Sequence, residues 1–433
     1  MDAGEFIRTL DRWTAAGGPF PDVDEHDLTT VGEAEALCRA VACPHIYVPG
    51  EFGTLALFDL MGCFQASESR EASFYLRDHG LPILRGILIT ALRGGKPDSS
   101  RSGSAEMLER RKALLFVVKV LCAYQQRGDA ALIVQAARDP DLAEGYLWGT
   151  IFGMTAERHP EAADICGRLA DPLPSGEIVT AYLDFANRLA RARVIAGHPF
   201  GSAAGLARLS ALLTDRDAED NDSAVAAASS IPFLDPGMRE MLLKLAGQHP
   251  DGLVRLEEAW ARAKLGQESG RARLVEFCGD PSYSERASGY LDELGFGSRI
   301  PPETDQPDFV ALAEMCRWLR HPMEFGRPPD KIVQYDTREL NWPPTGERHH
   351  FWLFKFHYEA RDGELAHDGI GLVGSDTFAL DITPATLAPE DVYGLHCCFE
   401  MQGDPRIPRE PPEWLSGAGR KLIAEINPGF PAA

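Results

Sequence analysis

Arg348-His349-His350-Phe351-Trp352-Leu353-Phe354-Lys355-Phe356-His357-Tyr358 is the stretch that decides how this chain of 433 residues is read. Side chains two apart share a face of an extended segment. His350, Trp352, Phe354, Phe356 and Tyr358 therefore lie on one side, and His349, Phe351, Leu353, Lys355 and His357 on the other. The first side is too aromatic to stay in water and is expected to be buried. Asp362-Gly363 predicts a hairpin turn returning the chain through residues 370–373, which sets His357 opposite Asp368 and Tyr358 opposite His367. Residues 377–382 read as a third strand of an antiparallel meander, and 331–340 as an edge strand stopped by Pro343-Pro344. Helices are expected from Pro389 to about Met401 and from Pro412 to about Ile426, covering one face of the strands.

Working back from that stretch, composition changes at Pro301-Pro302. Of the 31 prolines 16 follow this break, as do four of the seven tryptophans. Before it, leucine and alanine recur at helical spacing for about three hundred residues. Helices are predicted near 5–16, 31–43, 54–64, 70–93, 104–127, 130–138, 141–158, 161–170, 176–196, 203–213, 221–230, 236–247, 251–265, 270–278 and 283–294, with one more at 307–320. A polar loop at 94–103 separates two of them. Asp139-Pro140, His159-Pro160, Asp171-Pro172, His198-Pro199, His249-Pro250 and Asp280-Pro281 punctuate the run. A residue before proline is biased out of the helical region, and proline suits a first helical turn, so each step ends one helix and begins the next. Short paired helices with proline-marked turns are the pattern of an α-solenoid.

One unit carries a family resemblance. Leu274-Val275-Glu276-Phe277-Cys278-Gly279-Asp280-Pro281, followed by Glu285-Arg286-Ala287 and Tyr290-Leu291-Asp292-Glu293-Leu294-Gly295, resembles a HEAT repeat. In that family an apolar helix ends in an Asp-Pro turn, and a second helix carries an Arg-Ala pair and a closing Leu-Gly. Asp280, Arg286 and Ala287 stand at those places. Residues 131–147 and 206–228 resemble the unit more loosely and lack the arginine. A mainly α protein is expected: a HEAT-like α-solenoid or irregular helical array over 1–300, then a small α+β domain with an antiparallel meander over 301–433.

The chain carries 43 Lys and Arg against 65 Asp and Glu, a net charge of -22. That field repels phosphate backbones and no basic stripe offsets it, so nucleic acid is not an expected partner. Nine cysteines, odd in number and scattered through apolar helical contexts, read as buried reduced thiols. The acidic start, Met1-Asp2-Ala3-Gly4-Glu5, lacks the basic and apolar regions of a signal peptide, and no apolar run is long enough to span a bilayer. A cytoplasmic protein without membrane association is expected.

The string Gly369-Ile370-Gly371-Leu372-Val373-Gly374 matches a dinucleotide-loop pattern but continues as a strand with no βαβ unit around it, so tight strand packing accounts for it. Half of the twelve histidines lie between His321 and His396. No metal-ligand spacing accompanies them, and neither a metal nor a cofactor is implied. The sharpest chemical candidate is a cluster of His357, His367, Asp368, His396 and Cys397, in which a thiolate–imidazole pair would form if helix and strand bring Cys397 or its neighbour Cys398 to His357 or His367. A second candidate is an interaction segment around Trp318, Phe325 and Arg327, where aromatics, arginine and prolines mix. The expected function is a non-enzymatic protein-interaction scaffold or adaptor with a protein partner. The alternative is an enzyme or small-ligand binder with its site between the helical array and the α+β domain.

Overall fold

A computed structural model describes residues 1–23, 26–47, 56–65, 69–93, 113–143, 147–215, 221–321, 324–360, 365–380, 387–404, 406–407 and 412–432, the side chains of Tyr47 and of 412–414 excepted. The chain divides into two compact units, Met1–Ala261 and Arg262–Ala433. The composition break at Pro301-Pro302 falls inside the second, so the helices on either side of Asp280-Pro281 belong with the sheet.

The first unit is helical throughout, among the described residues. Thr30 and Glu33 form a capping box at the start of helix Val31–Ala42, each satisfying a backbone N–H that the helix leaves open. Trp148–Arg158 packs on Ile178–Arg191, where Phe152 stacks on Phe185 with ring centroids 4.9 Å apart. The run expected as one helix at 70–93 is Arg70–Tyr75 and Leu81–Arg93 joined by a π-helical turn, Leu76–Gly80. The run at 141–158 is two helices, Pro140–Ala143 and Trp148–Arg158. The polar loop at 94–103 and the beginning of the helix expected from 104 lie outside the described residues.

The His-Pro steps have a common construction. His159, His198 and His249 are buried, and in each the imidazole Nδ1 accepts the backbone N–H two residues on, from Glu161 (3.1 Å), Phe200 (3.4 Å) and Asp251 (3.2 Å). Proline has no N–H, so the residue after it carries the first unsatisfied donor of the new segment. The histidine ring supplies the acceptor.

In the second unit Glu268–Cys278 and Ser284–Glu293 form the helix–turn–helix expected there. Asp280 shapes the turn: its side chain accepts from Ser282 N (2.9 Å) and its carbonyl from Ser284 N (2.9 Å). The sheet is an antiparallel meander in the order β1 (Lys331–Asn341), β2 (Arg348–Tyr358), β3 (His367–Val373) and β4 (Thr377–Leu380). His357 pairs with Asp368 and Tyr358 with His367, as the sequence predicts. The Asp362-Gly363 turn and residues 381–382 lie outside the described residues.

Coverage of the sheet differs from the expectation that helices cover one face. Helix Pro307–Arg320 packs Ala311, Met315 and Leu319 onto Phe354, Phe356 and Tyr358, while Pro389–Glu400 and Pro412–Ile426 enclose Phe351, Leu353, Ile370 and Leu372 from the other side. Both faces of β2 are apolar enough to require burial, so two layers of helix are needed. Toward the start of β2 the aromatic face emerges: Trp352 is half-buried, and His350 is exposed and stacked on it, with centroids 4.1 Å apart. Glycines set the closeness of packing. A β-carbon at Gly371 would overlap Met315 Sδ, and one at Gly419 would overlap the carbonyl of Gly394, so the Met315 side chain rests directly on the strand backbone and the two C-terminal helices meet almost backbone to backbone.

Candidate functional site

The structure separates the five residues of the expected chemical cluster. His357 Nδ1 lies 2.8 Å from Asp368 Oδ1, but the pair is solvent-exposed at the end of the sheet, with His357 38% and Asp368 51% exposed. His367 is on the opposite face, against Phe325, Phe356 and Tyr358. Cys397 is in the core beneath Pro389–Glu400, where burial pushes its thiol up to about 12 and its nearest polarisable partner is Met401 Sδ at 3.9 Å. No thiolate–imidazole pair assembles from these residues. The alternation of β2 explains the division, because neighbours along a strand point to opposite sides.

His396, also completely buried, belongs to a different constellation. Its Nε2 lies 2.7 Å from Glu400 Oε1, one helical turn on. Ser375 Oγ donates to the same oxygen (2.5 Å) and Trp342 Nε1 donates to Oε2 (2.9 Å). Burial works to raise the Glu400 pKa, but hydrogen bonds from His396, Ser375 and Trp342 outweigh it and hold the carboxyl at about 2. The His396-x-x-x-Glu400 spacing is readable in the sequence. The convergence of Trp342 and Ser375 on it is not, because they come from the ends of β1 and β3.

Trp318, Phe325 and Arg327, the residues of the expected interaction segment, turn inward. Trp318 and Phe325 pack against the core on the Pro307–Arg320 side, and Phe325 stacks on Tyr358 with centroids 4.8 Å apart. Arg327 sits over the Tyr358 ring (4.6 Å) and bonds Asp330 (2.8 Å). These side chains stiffen the join between helix and sheet and are not free to anchor a partner.

A β-bulge builds a further polar cluster. The β1–β2 register shifts between Gln334 and Asp336, leaving Tyr335 as the extra residue, so Tyr335 and Asp336 both serve the face beneath Pro389–Glu400. Arg338 bonds Asp336 (2.9 Å) and Glu390 (2.5 Å), and Tyr393 Oη donates to Asp336 (3.1 Å). Lys355 Nζ lies 4.5 Å from the Tyr335 ring centroid. Burial, Asp336 and Glu390 push the Tyr335 hydroxyl up to about 12. The cluster pins the first turn of Pro389–Glu400 to β1.

One concave feature of this unit is a cleft of about 850 Å³ at the β4 edge, lined by Phe378, Leu380, Leu395, Phe399, Ile407 and Leu415 together with the polar Gln402 and Asp404. Phe399 is 52% exposed there. Another cleft, of about 420 Å³, lies between Ser284–Glu293 and Pro307–Arg320. Two of its arginines are engaged, Arg317 with Glu314 (2.5 Å) and Arg320 over the Tyr283 ring (4.9 Å).

Among the described residues no group of three or more His, Cys, Asp or Glu side chains is placed to hold a metal ion, and no helix is long and apolar enough to cross a membrane. The resolved pKa shifts run away from neutrality: thiols and tyrosines upward, carboxylates downward, and His159 and His198 downward through burial. No protein-family model matches the chain, and neither a curated protein nor a solved structure does.

Proposed function

We propose that the chain is a protein-interaction scaffold of the cytoplasm, and that its second unit takes a segment of a partner protein bearing apolar anchors and basic flanks. The observation carrying this reading is the apolar cleft at the β4 edge, with Phe399 half out of its wall. A large aromatic left exposed beside a concavity is the usual form of a binding hot spot. The choice of basic flanks rests on charge: residues 262–433 contain 18 Lys and Arg against 28 Asp and Glu, a net of -10. Nine free, buried thiols support a reducing compartment. The helix–turn–helix around Asp280-Pro281 supports a HEAT-like reading, since such arrays generally bind other proteins.

Selection of displayed peptides on the full chain tests the proposal. Enriched peptides should combine aromatic or aliphatic anchors with lysine or arginine, and Phe399→Asp should weaken them at least about tenfold. If no peptide is enriched, or if the enriched ones bind Phe399→Asp as well as the parent, the proposal is wrong.

A further inference from the structure

The His-Pro junctions of the first unit do work that the binding reading leaves unused. An imidazole nitrogen that accepts a hydrogen bond must be unprotonated, so a ring bonded through Nδ1 to a backbone N–H caps its segment only while neutral. We propose that His159 and His198 make the helical unit acid-sensitive, their protonation opening the junctions they cap once the pH falls below the ordinary imidazole range.

His198 is the most complete case. Nδ1 accepts from Phe200 N, and Nε2 lies 3.0 Å from Asn187 Oδ1 on helix Ile178–Arg191, so the ring is held as the neutral Nε2–H tautomer. Its neighbours are Asn187 and the ring of Phe200, 5.9 Å away, and burial alone lowers its pKa, to about 4. A proton on Nδ1 would face the Phe200 N–H, donor against donor, and among the described residues no charged group acts on the ring to offset it.

His159 is 5% exposed and repeats the arrangement at the end of Trp148–Arg158, with Nδ1 accepting from Glu161 N. Its Nε2, which carries the proton of the neutral ring, is buried without a hydrogen-bond partner, so a second proton would have to go to Nδ1, against the Glu161 N–H. Burial lowers its pKa, opposed by Glu161 and by Asp129, which leads into helix Ala130–Ala137. Neither carboxylate is free to follow the ring. Glu161 accepts from Gly128 N (2.9 Å) and Ala130 N (3.2 Å), and Asp129 is bonded twice by Arg85 (2.6 and 2.9 Å). Opening of the His159 junction would therefore also disturb the start of Ala130–Ala137, which coupling through Glu161 makes part of the same event.

The sign follows from linkage. A histidine whose folded pKa lies below its unfolded value of about 6.5 stabilises the fold fully above that value, and the contribution is lost as pH falls toward the folded pKa. For His198 alone, lowering the pH from 7.5 to 5 should reduce the local folding constant about thirtyfold. The window is separate from that of the carboxylates held near 2, which lose their contribution at lower pH.

The experiment uses the full chain. Amide exchange, corrected for the intrinsic effect of pH, is measured over 148–214 at pH 7.5 and 5.0 for the parent, for His198→Asn and for His159→Asn with His198→Asn. Asparagine can still accept the capping N–H but does not titrate. The parent should lose about thirtyfold or more of its protection in these helices, and the variants should lose markedly less, whatever their stability at pH 7.5. Variants as acid-sensitive as the parent would overturn the proposal. If the double variant does not fold, nitrogen chemical shifts of the parent's histidines decide: a neutral Nε2–H ring at pH 5.5 supports the device, and a ring already protonated at that pH refutes it.

Discussion

Replacing Glu400 by glutamine should cost the second unit about 3 kcal/mol at pH 7, with a pH signature that identifies the cause. Three groups converge on this carboxylate, Trp342 and Ser375 as hydrogen-bond donors and His396 with its Nε2 2.7 Å away, and its side chain is only 15% exposed. With the carboxyl at about 2 against an ordinary 4.5, the shift corresponds to about 3.4 kcal/mol at 1.36 kcal/mol per unit. Glutamine keeps the shape but offers one acceptor oxygen, turns an amide donor toward the remaining donors and removes the charge that strengthens all three bonds. Because the folded pKa is depressed, the contribution is complete above about 4.5 and is lost as the pH falls through 2. The difference between parent and variant should thus shrink by about 2 kcal/mol between pH 7 and pH 3. Urea titration of the full chain, followed by amide exchange in Pro389–Glu400, reads this difference without assuming that the two units unfold together. A difference below about 1 kcal/mol at pH 7, or one unchanged at pH 3, would refute the view that Glu400 is the charged centre of this network.

Two further substitutions test the packing of the same unit. Gly419→Leu would drive a side chain into the backbone of Gly394 and should destabilise the helix pair by about 3 kcal/mol, seen as a lower melting temperature and early loss of protection in both helices. Arg338→Met would leave Asp336 and Glu390 without their shared cation and should cost about 2–3 kcal/mol, less when Glu390→Gln is added, which a double-mutant cycle in urea would detect.

Local order was legible along the chain because it depends on neighbours in sequence. Asp139-Pro140, His159-Pro160, His249-Pro250 and Asp280-Pro281 mark helix boundaries because proline restricts the residue before it, whereas Asp171-Pro172 and His198-Pro199 fall within longer connections, and the helix expected over 176–196 ends at Arg191. The alternation over 348–358 marks β2 because side chains switch sides at each residue. The same alternation, with the turn residues, was enough to set His357 opposite Asp368. His396 and Glu400 could have been paired by their helical spacing alone.

What the alternation could not say is what covers each face. Both faces of β2 carry apolar side chains, and only the tertiary structure assigns one to Pro307–Arg320 and the other to the C-terminal helix pair. The single extra residue at Tyr335 has no sequence signature, yet it brings Tyr335 and Asp336 to one face and creates the Arg338 cluster. Trp342, Ser375 and Glu400 are far apart in the chain, and their meeting depends on how the sheet and helix close on one core. The same closure leaves His367 and Cys397 on opposite sides of the sheet, where no spacing rule would have placed them. Periodicity is a property of a few consecutive residues and survives in the sequence. Convergence is a property of long-range packing, in which burial of the whole apolar surface decides which distant groups become neighbours.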